Sequence, residues 1–262
     1  PLMQTAKQKL KRAAPWLFLL LVLAGLAAVR GLAANYEIGY EIMNGDFQNY
    51  NPVRHLLAGQ IPYRDFTVYL GAGELYSVGG LLLVLGNSFG RSMFATNFCT
   101  WFYFELLVLA VCLVVIGTAR AARAAALALC SVFFAYVQGA NLPFAGQVNT
   151  LLSYAAANGN SARMMRSAAL TLAVLVILLG LHFWQQDTSR RLLAPAVLVP
   201  FAAGFFVPWS NDMGGAAYIS IALGYGLYLI RLYRSSIGKI VVQTLRYIVT
   251  SVVGLGVSVL LI

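Results

Sequence analysis

Only 10% of this 262-residue chain is charged and 60% is hydrophobic, where a soluble domain carries about a quarter charged residues. An ordinary water-soluble fold is thereby excluded. The net charge of +10 does not point to nucleic acid, because the basic residues sit in short clusters between apolar runs.

Those runs are about 20 residues long and continuous rather than alternating, so they predict bilayer-crossing helices and not a barrel. Residues 1–15 carry Lys7, Lys9, Lys11 and Arg12 ahead of the first run, at 16–34. A cleavable signal peptide shares this pattern, with Leu32-Ala33-Ala34 as its exit, but the runs downstream favour a retained first span with a cytoplasmic N-terminus. Arg30, near the outer end, is placed to snorkel.

Residues 35–91 form the outer loop, and within it residues 44–66 are the longest polar passage of the chain, with Asp46, Arg54, His55, Arg64 and Asp65 between apolar segments. Asn51-Pro52 reads as a helix start, and Val53, Leu56 and Leu57 fall on one side of the short helix that follows. Gly59 ends it. The pattern predicts a helix lying in the membrane interface. Pro62 then turns the chain into Tyr63-Arg64-Asp65-Phe66. The run 69–85 is interrupted by Gly71, Gly73, Glu74, Gly79 and Gly80, which makes a poor span and predicts a second interfacial or re-entrant helix.

The remaining spans lie within 92–262. If 92–117 runs inwards, Arg120 and Arg123 land in the cytoplasm. The run 124–138 goes out to a second outer loop at 141–166, and 167–184 returns. The run 192–207 goes out to a turn at 208–214. The run 216–230 returns, placing Arg231, Arg234 and Lys239 inside, and the last run begins at 240. The expectation is an all-α, polytopic integral membrane helical bundle with about seven transmembrane helices and one or two interfacial helices. Residues 1–262 read as a single transmembrane module, and an end inside an apolar run reads as incomplete. Trp16, Trp184 and Trp209, near span ends, read as interface anchors. Cys99, Cys112 and Cys130 lie inside apolar runs without metal-ligand spacing and read as packing residues.

The phrase Leu56-Leu57-Ala58-Gly59-Gln60-Ile61-Pro62-Tyr63-Arg64-Asp65-Phe66, behind a first span and an acidic residue, resembles the GT-C superfamily. Phe89-Gly90-Arg91 before the next span fits the same habit. The resemblance covers roughly residues 10–130. It implies a glycosyltransferase of the bacterial inner membrane, multi-pass, that moves a sugar from a polyprenyl-phosphate carrier to a lipid, glycan or protein acceptor at the outer face. The reaction it implies is a single displacement with inversion.

By position the resemblance makes Asp46 the catalytic base: a carboxylate that takes the proton of the acceptor hydroxyl as it attacks the anomeric carbon. Asn44-Gly45-Asp46 is also ordinary turn chemistry, and Glu37 and Glu41 are the fallback bases. The leaving lipid phosphate needs cationic donors, for which Arg64, His55, Arg91, Arg163 and Arg166 are the candidates, with Arg54. Arg163 and Arg166 share a helical face, and either a phosphate ligand or anionic lipid headgroups account for them. For Arg54 and His55 the solvated face of an interfacial helix is the simpler account, and for Arg64 a turn salt bridge to Asp65. Asp65 also serves as loop support or acceptor contact. Asp212 either completes the site from the far side or caps the next span. Glu105, deep in 92–117, is either protonated and bonded to a neighbouring helix or lines a polar cavity.

No HExxH, CxxC, Gly-rich phosphate loop or Ser-His-Asp set is present, so no cofactor is expected and a divalent metal is not indicated. The expected partners are membrane lipids and the lipid-linked sugar, with no nucleic acid. Two rival readings remain. One is a non-catalytic GT-C-like subunit packed with other membrane subunits in a larger complex. The other is a transporter or flippase of lipid-linked sugars, which ranks lower because only Glu105 lies near the midplane and no repeat is visible.

Overall fold

A computed structural model describes residues 2–36, 44–136, 163–184 and 193–262. These residues are all-helical apart from turns and one isolated bridge between Pro62 and Phe66. The helices are α1 (Leu2–Tyr36), α2 (Asn44–Leu57), α3 (Ala72–Leu85), α4 (Phe89–Ile116) and α5 (Ala121–Tyr136), followed by α6 (Arg163–Trp184), α7 (Leu193–Phe205), α8 (Met213–Leu232) and α9 (Ile237–Leu261). Four segments among the described residues are long and apolar enough to cross a bilayer: Ala13–Leu32 within α1, α4, α8 and α9. Helix α3, with 14 residues, spans about 21 Å and falls short of a hydrocarbon core of about 30 Å.

Helix α4 is the hub. It packs against α1, α2, α3, α5 and α6, and α6 carries the packing onward to α7 and α8. Its start is set by Ser88, whose Oγ accepts from the Arg91 N–H, and its end by Gly117 at φ +88°, a conformation that disfavours side chains. Arg30 of α1 lies 4.6 Å over the Trp101 ring of α4, so its cation is held by an aromatic face. Glu105 is fully buried in the middle of α4.

Beneath the polar loop, Val53 of α2, Leu75 and Val78 of α3, Cys99 of α4 and Met165 of α6 share one core. A separate core joins α6 and α7 to α9 and takes in Tyr218 and Tyr225 of α8. There α7 and α9 approach backbone to backbone: a Cβ on Gly254 would lie 2.2 Å from the Phe201 carbonyl oxygen. The buried stripe of α9 is Tyr247, Ser251, Gly254 and Ser258, three small residues out of four, as helices packed without a hydrophobic drive require.

One boundary departs from the sequence expectation. Helix α2 begins at Asn44, not at Asn51-Pro52, and carries Pro52 in its interior. An interior proline removes a helical hydrogen bond at a cost of about 3 kcal/mol. Tertiary contacts upstream offset this: the Phe47 ring stacks on Phe89 at 4.9 Å, Tyr50 meets the same ring edge-on, and the Tyr50 hydroxyl donates to Asn87 at 3.0 Å. Gly59, at φ +82°, follows the end of α2 as expected.

Candidate polar site at the end of the bundle

Residues 61–66 close on themselves. The Tyr63 N–H donates to the Phe66 carbonyl at 2.9 Å, and the Asp65 N–H to the Ile61 carbonyl at 2.9 Å. The Asp65 carboxylate accepts from the Ile61 N–H at 2.8 Å and from Arg64 Nε and Nη2, both at 2.8 Å. The Arg64 guanidinium, followed by the Ile61 N–H, holds the Asp65 carboxyl well down, at about 2. His55 clamps this clasp to α2: its Nδ1 shares a hydrogen bond with Gln60 Oε1, and its ring stacks on Phe66 at 5.3 Å. Tyr63 sits at φ +62°, a strained conformation for a residue other than glycine.

The turn that follows α7 faces the clasp. Asn211 Nδ2 donates to the carbonyls of Val68 at 2.7 Å and Tyr69 at 3.0 Å, and Asn211 Oδ1 accepts from the Tyr63 hydroxyl at 3.3 Å. Two glycines permit the approach. A Cβ on Gly71, itself at φ +105°, would lie 2.6 Å from the Trp209 carbonyl oxygen, and one on Gly73 would lie 2.0 Å from Trp209 Nε1. Trp209 is therefore packed against α3. Between clasp and turn lies a groove of about 600 Å³ lined by Ile61, Pro62, Tyr63, Arg64, Pro208, Asn211, Val259 and Ile262.

Behind the turn is a second acid–base cluster. Arg166, at the start of α6 and 7% exposed, donates through Nη1 to both Asp212 oxygens at 2.9 and 3.0 Å. Asp212 also accepts from Ser210 Oγ at 2.8 Å and caps α8 through the Met213 N–H at 2.9 Å. Partial burial pushes the Asp212 carboxyl up, but Ser210, Arg166 and the backbone N–H groups outweigh it and hold it low. Glu74, in the first turn of α3, is 3% exposed. Burial pushes its carboxyl up to about 8 against the opposing pull of Arg166. Glu74 Oε1, Arg166 Nε and Trp209 Nε1 are buried and find no hydrogen-bond partner among the described residues.

The candidate residues thus divide along α2. Asp46 lies in the first turn of this helix, and its side chain is outside the described residues. That end packs on the first turn of α4, where Arg91 is exposed and makes no ion pair among the described residues. The clasp with Arg64, Asp65 and His55 sits at the other end, roughly 16 Å farther along the helix axis. Arg54 is exposed and donates to Asn51 at 3.1 Å. Arg166 and Asp212 are brought together, with Asp212 in the capping role. Glu41 and the side chain of Arg163 lie outside the described residues. Among the described residues no three of His, Cys, Asp and Glu come together as metal ligands.

Sequence reasoning missed two members of this region. Glu74 was read only as an interruption of a poor span, although an acid set among glycines ahead of Leu75 and Val78 is a signal for a packed helix start. Asn211 carries no signal of its own in the sequence: nothing local marks it as the residue that ties residues 68–69 to the far turn. Compared with family models, with curated proteins and with solved structures, the chain gives no match.

Proposed function

We propose that the chain is a GT-C-like membrane glycosyltransferase with about seven crossings and a cytoplasmic N-terminus, sited in a bacterial inner membrane. It transfers a sugar from a polyprenyl-phosphate donor to a lipid, glycan or protein acceptor. The observation that carries this reading is the fold of the 61–66 phrase: it forms a closed clasp and, with the 207–212 turn, borders a groove at one end of the bundle. Arg231 lies in the last turn of α8 and Arg234 and Lys239 follow it, and the 20 residues of that helix put them about 30 Å from the groove. That separation fits a groove on the outer face.

In this reading Asp46, in the first turn of α2, takes the acceptor proton. The acceptor oxygen forms its bond to the anomeric carbon, and the bond from that carbon to the phosphate oxygen breaks. The lipid phosphate leaves with the bonding electrons. Arg91 is the described cation best placed to meet that charge, since Arg64 and Arg166 are engaged by Asp65 and Asp212. The same pairing favours the rival reading, a non-catalytic GT-C-like subunit. The test is transfer from a labelled polyprenyl-phosphate sugar by the full chain in vesicles. Asp46→Asn is expected to lower turnover about 10²–10⁴-fold with an unchanged unfolding midpoint. Undiminished transfer refutes the base assignment, and no transfer by the unaltered chain favours the rival.

A further inference from the structure

The groove between the 61–66 clasp and the 207–212 turn is a candidate for the donor phosphate only if it presents net positive charge. Among the described residues it does not. The one cation in its described lining, Arg64, delivers Nε and Nη2 to the two oxygens of its neighbour Asp65, so the pair is neutral as a unit. The other polar side chains of that lining are the Tyr63 phenol and the Asn211 amide. Burial pushes the Tyr63 phenol up, against the bond to Asn211, so the hydroxyl stays uncharged.

Among the described residues, a phosphate entering here would give up hydration without a free cation to replace it. We propose instead that this groove binds a neutral, hydroxyl-rich ligand, a saccharide, and holds the distal sugars of a glycan acceptor of the transferase proposed above, whose reacting end extends the roughly 16 Å along α2 to Asp46.

The groups present suit that chemistry. Asn211 Oδ1 and Tyr63 Oη keep acceptor capacity beyond their mutual bond, and Arg64 Nη1 keeps its donors. A saccharide hydroxyl both donates and accepts, so it can use either kind. The apolar remainder, including Pro62, Pro208 and Val259, matches the C–H faces of sugar rings. The volume of about 600 Å³ lies within the usual range of small-molecule sites. Tyr63 adds a fixed element: it is 49% exposed, and its positive φ holds the residue in place at the groove lining. Strain of this kind persists where surrounding structure enforces it, here the Phe66 carbonyl and Asn211.

This inference rests on the transferase reading but is tested without turnover. The full chain in nanodiscs of phosphatidylcholine, free of glycoside detergent, is probed by saturation-transfer NMR with neutral methyl oligosaccharides of several sugars and, separately, with methyl phosphate. At least one saccharide is expected to bind, with an affinity indifferent to ionic strength. Tyr63→Gly removes the ring while accepting the positive φ, so it should leave the unfolding midpoint near its original value and weaken saccharide binding about tenfold. The inference is overturned if no saccharide binds, if Tyr63→Gly binds as well as the parent, or if methyl phosphate binds in preference. Failed saccharide binding by a chain that still transfers sugar removes the subsite alone. Saccharide binding by a chain that never transfers leaves the saccharide site standing and overturns both the enzyme reading and the acceptor role given to that site.

Discussion

Two arginine–aspartate pairs stand on either side of the 207–212 turn, and they differ in nearly everything but chemistry. Arg64 and Asp65 are neighbours in sequence, with side chains 66% and 29% exposed. Arg166 and Asp212 are 46 residues apart, and the Arg166 side chain is 7% exposed. The first pair shapes a loop and cancels charge beside a groove. The second ties the start of α6 to the start of α8. An exposed pair contributes little to stability, whereas removing one partner of a buried pair strands a charge that water can no longer reach. Burial, not ion pairing as such, decides which pair the fold depends on.

The comparison is broken most severely at Asp212. Asp212→Ala leaves buried Arg166 without its bidentate partner and removes the α8 cap. The loss expected in thermal or denaturant unfolding of the detergent-solubilised chain is about 3 kcal/mol, the low end for a buried pair because Asp212 is itself half exposed. A loss no larger than that of an exposed pair would contradict the account.

A medium effect is expected from pH. Burial lifts the Glu74 carboxyl from its ordinary 4.5 to about 8, so the folded chain holds this proton more tightly than the unfolded one. Its contribution is complete below about pH 4.5 and is lost as the pH rises through about 8, at a slope of up to roughly 1.4 kcal/mol per unit. The unfolding midpoint should therefore fall between pH 5 and 8, and Glu74→Gln should flatten that fall. A slope that survives Glu74→Gln would assign the titration to another group.

The smallest effect belongs to the exposed pair. Asp65 is depressed to about 2, so its contribution is present above the usual carboxylate range and disappears as the pH falls through about 2. Asp65→Asn at neutral pH is expected to shift the unfolding midpoint little and to uncover Arg64. In the nanodisc assay that variant should then bind methyl phosphate, in a salt-sensitive manner, where the parent does not.

Much of the helical frame was legible from local signals. The run expected at 92–117 is α4, Phe89–Ile116, and the run expected at 216–230 lies within α8. The shortness of α3 followed from its glycines. The start of α2 was not legible, because Phe47 and Tyr50 are held by Phe89, some 40 residues away, and that contact outweighs the local preference of Asn51-Pro52. Nor was Trp209 legible as a packed residue, since its seat exists only because Gly73 has no side chain.

Taken alone, the amino-acid order determined a helical membrane protein whose polar residues concentrate behind the first apolar run. Hydropathy and helix signals are sums over neighbouring residues, and these can be read along a line. Only the tertiary structure decided that Arg166 answers Asp212, that Glu74 is sealed in beside them, and that Arg64 spends its charge at the edge of a groove. Each of those outcomes depends on which groups lose water together, and solvent exclusion is a property of the packed chain, not of any segment of it.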